Sequence, residues 1–215
     1  MPRPTWDNLE QRRRARVLQA AMAEFGHRGY SRGSLNVIAR EAGVAKGSLF
    51  QYFDDKFDFF AHVAEQTSLT VYAAMTPHLT GPREGENFLA YFNRLVDAWM
   101  EYMARHPLER AVTAATNLEL DPQIRQVIRE PVHRLYTQAL RPLLDQAVGS
   151  GELGADTDLE ALLAMLILLL PHLALAPFEP GLDAGLALYE TSPTTRSRHA
   201  ARLVATVFAS ALIQT

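Results

Sequence analysis

Apolar residues recur along this chain with the three- and four-residue spacing of amphipathic helices. Val17, Leu18, Ala21, Met22 and Phe25 form one such stripe, with Asp7-x-x-Glu10 marking its start and Gly26 and Gly29 its end. A short helix follows from Ser34 to Ala42, turning Leu35, Val37 and Ile38 inward and Asn36, Arg40 and Glu41 outward. The pattern breaks at Gly43 and resumes from Ala45 to Phe50. A long helix over 54–75 then carries Phe57, Phe59 and Phe60. Further helices are expected at 86–105, 107–117, 121–149, 157–175 and 194–213, with 181–193 a loop or a short extra helix. No stretch alternates with period two for long enough to be a strand, so the fold class is all-α.

Composition narrows this picture. The chain has 215 residues, 48% of them hydrophobic, enough for one large or two small domains with a real core. It has no cysteine, so disulfides and thiolate metal sites are excluded and a reducing, cytoplasmic setting is expected. The opening residues lack the apolar run of a secretory signal. Ala161 to Phe178 carries no charge and approaches membrane-spanning length. Pro171, His172 and Pro177 interrupt it, however, and Thr157-x-x-Glu160 before it resembles a capping box, so a buried core or interface helix is expected and no membrane partner. Charge is unevenly divided. Residues 1–56 hold ten Lys or Arg against six Asp or Glu, a net of +4, while the remainder is acidic. A basic first quarter on an acidic remainder suggests that the first part meets a polyanion.

Two short helices joined by a tight turn at Gly43 form a helix-turn-helix, in which the first helix braces the second so that its exposed side reaches base edges in the DNA major groove. Gly43 permits the turn because it adopts positive φ without a Cβ clash. Ile38, Ala39, Val44 and Leu49 are the small core that fixes the angle between the helices. The polar residues left outside are donors and acceptors suited to DNA.

The stretch GYSRGSLNVIAREAGVAKGSLFQYFDDK resembles the DNA-binding signature of the tetracycline-repressor (TetR) family of bacterial transcription regulators. The likeness lies in Gly29-Tyr30, Ile38-Ala39, Ala42-Gly43-Val44, Gly47-Ser48-Leu49, Tyr52-Phe53 and Lys56, preceded by an Arg-rich amphipathic helix. It implies a helix-turn-helix DNA-binding domain over 1–56 and a larger helical effector-binding and dimerisation domain over 57–215. It also implies that Ser34, Ser48, Tyr52 and Lys56 contact phosphates, while Asn36, Lys46, Gly47 and Gln51 face bases. The chemistry suits those roles: amides read adenine edges, and a lysine suits guanine acceptors. The chain departs from the family pattern at Ala45, where a capping Ser is usual, at Phe50 in place of Tyr, and at Phe57 and Phe59, which suggest tight packing of the fourth helix. Arg12, Arg13, Arg14 and Arg16 are either a solvated face or a further phosphate-contacting surface.

Two more surfaces follow. Ala200, Leu203, Val204, Val207, Phe208, Ala211 and Leu212 repeat at helical spacing, with small residues at 201, 205, 209 and 210. This face and that of 157–175 are either consumed inside one subunit or, as the resemblance implies, pair across a two-fold axis. In the second case Leu162, Met165, Leu169, Leu203, Val207, Phe208 and Leu212 form a homodimer interface. Phe88, Tyr91, Trp99, Tyr102, Met103, Asn117, Tyr136, Met165 and His172 mix aromatic, Met and a few polar groups. Singly each fits core filling. As a set they resemble the lining of a small-molecule pocket, which the family resemblance assigns to an effector.

Enzymatic readings have little support. No HExxH pair or GxSxG turn is present, and GVAKGS lacks the spacing of a phosphate loop. No cofactor or metal is called for. The partners expected are double-stranded operator DNA, a second copy of the chain and a small apolar or aromatic effector. Two other readings stay open: a DNA-binding dimer without an effector, architectural or partner-controlled, and a helical ligand carrier.

Overall fold

The computed structural model describes residues 2–183 and 185–212. They form helices α1 (Pro4–Asp7), α2 (Gln11–Arg32), α3 (Leu35–Ala42), α4 (Lys46–Tyr52), α5 (Lys56–Met75), α6 (Phe88–Arg105), α7 (Pro107–Asn117), α8 (Pro122–Gly149), α9 (Leu159–Leu175) and α10 (Pro193–Phe208). A single 3-10 turn spans Thr76–His78. The fold is all-α; among the described residues the one extended contact is an isolated bridge between Leu153 and Leu212. No helix of the described residues is long and apolar enough to cross a membrane.

Several boundaries differ from the sequence expectation for physical reasons. The first amphipathic helix starts at Gln11 rather than at Asp7, because Pro4, at the first position of a helix, begins a separate one-turn α1. Gly26 does not stop α2. It lies inside the helix, and a Cβ there would sit 2.7 Å from Ala111 Cβ, so glycine lets α2 and α7 approach closely. Gly29 is the real irregularity, a kink at φ 68°, ψ 179° within α2. At α9 the cap is Asp158, which accepts from Ala161 N–H at 2.9 Å, rather than Thr157. Glu160 instead pairs with Arg141. Residues 181–183 and 185–192 are loop, where Asp183 accepts N–H bonds from Gly185, Leu186 and Leu188. The last helix closes at Phe208, short of the expected end; residue 213 lies outside the described residues.

The chain divides into two compact units. One takes the residues up to Val71 together with His106–Val132; the other takes Tyr72–Arg105 and the residues from His133 on. In the first, Val17, Ala21 and Phe25 of α2 meet Ile38, Ala39 and Leu49 of the short helices and Phe59, Phe60 and Val63 of α5 in one buried cluster. Phe53 stacks on Phe59 at 4.3 Å, and Phe25 meets Phe59 and Phe60 edge-on. Such ring pairs each add about 0.5–1.5 kcal/mol beyond area burial. In the second unit, Phe88 and Phe92 of α6 pack on Phe208 of α10 at 5.3 and 5.0 Å. Trp99 donates its indole N–H to Leu170 O at 3.0 Å, beside the interior Pro171 of α9.

A histidine is buried against the first core. His62 is 8% exposed, lies edge-on to Trp6 at 5.6 Å and beside Phe53 at 5.4 Å, and neither ring nitrogen has a hydrogen-bond partner. Burial pulls its pKa below the ordinary 6.5, against the opposing influence of Glu65, Asp58 and Asp7. The folded state therefore holds neutral His62 while the unfolded chain binds the proton first. This contribution to stability is complete above about pH 6.5 and is lost as pH falls below it, at no more than about 1.4 kcal/mol per pH unit. Urea unfolding at pH 7 and pH 5 is expected to show less acid destabilisation for His62→Phe than for the unaltered chain; equal losses would contradict the assignment.

Candidate nucleic-acid interface

The turn between α3 and α4 is set by Gly43, at φ 66°, ψ 38°. Its N–H donates to Arg40 O at 3.1 Å and the next N–H, of Val44, donates to Ala39 O at 2.9 Å, the paired bonds of a Schellman ending. Val44 then packs against the buried cluster, and Ile38, Ala39 and Leu49 close the wedge between the two helices. At the other end of α3, the Ser34 hydroxyl accepts from Val37 N–H at 3.4 Å, while Ser34 N–H donates to Glu24 Oε1 of α2 at 2.9 Å. The start of α4 has no such side-chain cap, because Ala45 stands there.

This scaffold leaves Asn36, Lys46, Gly47 and Gln51 exposed, with Ser48 half-buried among them. Gly47 has open space around it; nothing lies within 4 Å of the place a Cβ would take. Phe50 is exposed at 42%, an unusual place for a large apolar ring. On α2, Arg12 and Arg16 are exposed and Arg13 and Arg14 half-buried.

The remaining residues expected at phosphates sit differently. Ser34 is engaged as the cap of α3. Tyr52 is buried, with its ring 5.7 Å from that of Trp6. Lys56 donates from Nζ to Ser31 O at 3.1 Å and lies 4.8 Å above the Tyr30 ring. Burial lowers its pKa, opposed by the carboxylates of Glu24 and Glu119, and burial likewise raises that of Tyr30. In this arrangement Lys56 ties α5 to the end of α2. Sequence reasoning passed over Arg3, Thr5 and Trp6, which dock on α4; the signals were Pro4 in a helix-starting position and a lone Trp in a polar stretch.

The residues expected at an effector are placed as follows. Phe88, Tyr91, Trp99 and Met103 are buried on α6 in the second unit. Tyr91 donates its hydroxyl to His78 O at 3.1 Å, and Trp99 meets the half-buried Tyr136 edge-on at 6.0 Å. Tyr102 is half-buried, and Met165 is 48% exposed. His172 lies 4.0 Å from Asp183. Asn117 belongs to the first unit, its side chain donating back to Thr113 O at 2.9 Å. A cavity of about 150 Å³ opens beside Phe88, lined also by Pro82, Leu143, Gln146, Ala147, Ser150 and Glu152. Phe88 is the one member of the expected set on its wall.

Of the expected interface residues, Met165 is exposed, and Leu169, Leu203, Val207 and Leu212 are half-buried. Leu162 and Phe208 are buried within the chain, Phe208 completely, because α10 spends that position on the aromatic core with Phe88 and Phe92. Leu168, at 71% exposure, is the most exposed large apolar residue of α9.

Comparison with known proteins agrees with this geometry. Residues 17–63 match the bacterial regulatory proteins of the tetR family. The probable acrEF/envCD operon repressor of Escherichia coli K12 is 26% identical over 158 residues, covering 71% of this chain and 70% of its own length. The HTH-type transcriptional repressor SCO4008 of Streptomyces coelicolor is 30% identical over 94 residues, 44% of either chain. Among solved structures, a TetR family transcriptional regulator from Chloroflexus aurantiacus matches 100% of both chains with a TM-score of 0.65 and 24% identity. FadR from Bacillus subtilis, solved in complex with stearoyl-CoA, covers 88% of this chain and 96% of its own with a TM-score of 0.72 and 18% identity. The matched segment spans the Gly43 turn, the helices it joins and the aromatic core behind them, and over these residues the chain carries the DNA-binding segment of the tetR family of bacterial regulatory proteins.

Proposed function

We propose that this regulator is a homodimeric repressor that reads a pseudo-palindromic operator with α4 and is released from it by a small apolar or aromatic molecule. The observation that carries the reading is the exposed set Asn36, Lys46, Gly47 and Gln51 on a rigid helix-turn-helix whose other faces are buried. In this reading Lys46, Gln51 and Asn36 face bases, Gly47 allows close approach, and Ser34, Ser48, Tyr52 and Lys56 lie at the phosphates. For Tyr52 and Lys56 that role requires the hydroxyl and ammonium to leave the packing described above. Residues 1–56 then make the DNA contacts, and 57–215 supply effector binding and dimerisation.

Dimerisation is supported by an apolar face on α9, where Ala161, Ala164, Met165 and Leu168 are exposed at helical spacing. Ala205 and Ala209 of α10 are exposed as well, and small residues allow close helix approach. Two copies paired through α9 and α10 form an isologous interface and present two α4 helices to half-sites about 34–36 Å apart.

For the effector, the support is the aromatic and Met content of α6 together with Tyr136 of α8, and FadR from Bacillus subtilis, similar in fold, is solved in complex with stearoyl-CoA. In this reading the effector acts by shifting α5, whose residues fall in both units. A preference of about 1–3 kcal/mol for the DNA-incompetent state changes operator affinity 5–150-fold. The tight packing of Phe88 and Phe92 on Phe208 also accords with a second reading, a DNA-binding dimer without a small-molecule effector, architectural or partner-controlled.

Selection from a random duplex library at physiological salt is expected to return a pseudo-palindrome, and Gln51→Ala to relax discrimination at one symmetric position by about 1–3 kcal/mol. Purely salt-dependent, sequence-independent binding would oppose the reading. Leu168→Glu is expected to shift sedimentation from dimer toward monomer, since it places a charge in the centre of the proposed interface; an unchanged dimer would move the interface elsewhere.

A further inference from the structure

The segment before α2 is fastened to the far end of α4. A seven-residue helix leaves its last four carbonyls without partners inside the helix. In α4 these belong to Leu49, Phe50, Gln51 and Tyr52, and each has a donor. Leu49 O accepts from Phe53 N–H at 2.9 Å, and Tyr52 O from Arg3 N–H at 2.8 Å. Phe50 O accepts from the Arg3 guanidinium at 3.0 Å, and Gln51 O from the Thr5 hydroxyl. The same guanidinium holds Asp54 just beyond the helix, with Nε and Nη2 at 2.8 and 2.7 Å from one carboxylate oxygen. Trp6 anchors the segment from the apolar side. It is 2% exposed and lies 5.7 Å from the Tyr52 ring and 5.0 Å from that of Phe53.

We propose that Arg3 and Thr5 are positioning residues for sequence recognition, capping the last turn of α4 so that Gln51 is presented at one fixed angle. The inference rests on the reading of α4 as the base-reading helix. A helix this short is marginal by its own bonds, so its last turn is held by what caps it. Gln51 lies in that turn, and its own carbonyl is among those capped. A base-reading amide needs both of its hydrogen bonds at once, so fraying of this turn reduces discrimination more than it reduces overall attraction to DNA.

The test uses full-length Thr5→Val, Arg3→Ala and Arg3→Lys, each measured against the duplex that the unaltered chain selects and against single-mismatch duplexes over a range of salt. The expected result is a loss of about tenfold in discrimination at the base pairs that Gln51→Ala also relaxes. The salt slope is expected to stay unchanged for Thr5→Val, with no recovery of discrimination in Arg3→Lys, which keeps the charge and loses the planar fork. Faster amide exchange of residues 49–53 in the DNA-free variants is expected alongside. A uniform affinity loss with a shallower salt slope, restored by Arg3→Lys, would make Arg3 a phosphate contact and overturn the proposal. A lower melting temperature with unchanged discrimination would also overturn it, leaving a stabilising role only. If the unaltered chain selects no sequence, the reading of α4 itself fails, and the proposal with it.

Discussion

At φ 66°, ψ 38°, Gly43 holds a backbone conformation that costs an ordinary L-residue roughly 1–2 kcal/mol. The turn it makes delivers Val44 back onto the core and sends α4 off at an angle to α3, so that Leu49 faces inward with Ile38 and Ala39 while Lys46, Gly47 and Gln51 face out. The division of α4 into a buried and an exposed side follows from that one residue's freedom. Without it the chain would either continue α3 or leave its last carbonyls unpaired.

A tight turn fixes an angle only if both helices are held from behind. Here the support is aromatic. Phe25, Phe53, Phe59 and Phe60 interlock through stacked and edge-on contacts, and Lys56 ties α5 to Ser31 and Tyr30 near the end of α2. The uncapped start of α4 at Ala45 is offset at its other end, where Arg3 and Thr5 take the free carbonyls. Stability and presentation of the base-facing residues thus come from the same contacts.

What was legible in the sequence was whatever local spacing encodes. Gly43, the inward Ile38 and Leu49, and the order of helices around them could be read directly, since turn chemistry and three- to four-residue periodicity act within a few positions. Gly26 looked like a helix stop; its role is close approach to Ala111, which no local pattern reveals. Phe208 shows the limit of periodicity, since an apolar stripe has the same spacing whether it faces its own core or a second copy. The candidate site divided in the same way. Asn36, Lys46, Gly47 and Gln51 lie exposed, whereas the burial of Tyr52 and the tethering of Lys56 depend on Trp6 and Ser31, contacts distant in sequence. The docking of Arg3 and Thr5 was hidden for the same reason.

The central claim is that the exposed sides of α3 and α4 are where DNA is read. Backbone amide NMR shifts, followed as a library-selected duplex is titrated into the protein at physiological salt, test it most directly. The account predicts that the largest changes fall at residues 34–36 and 46–51. Changes confined to other surfaces, with those residues unmoved, would contradict it.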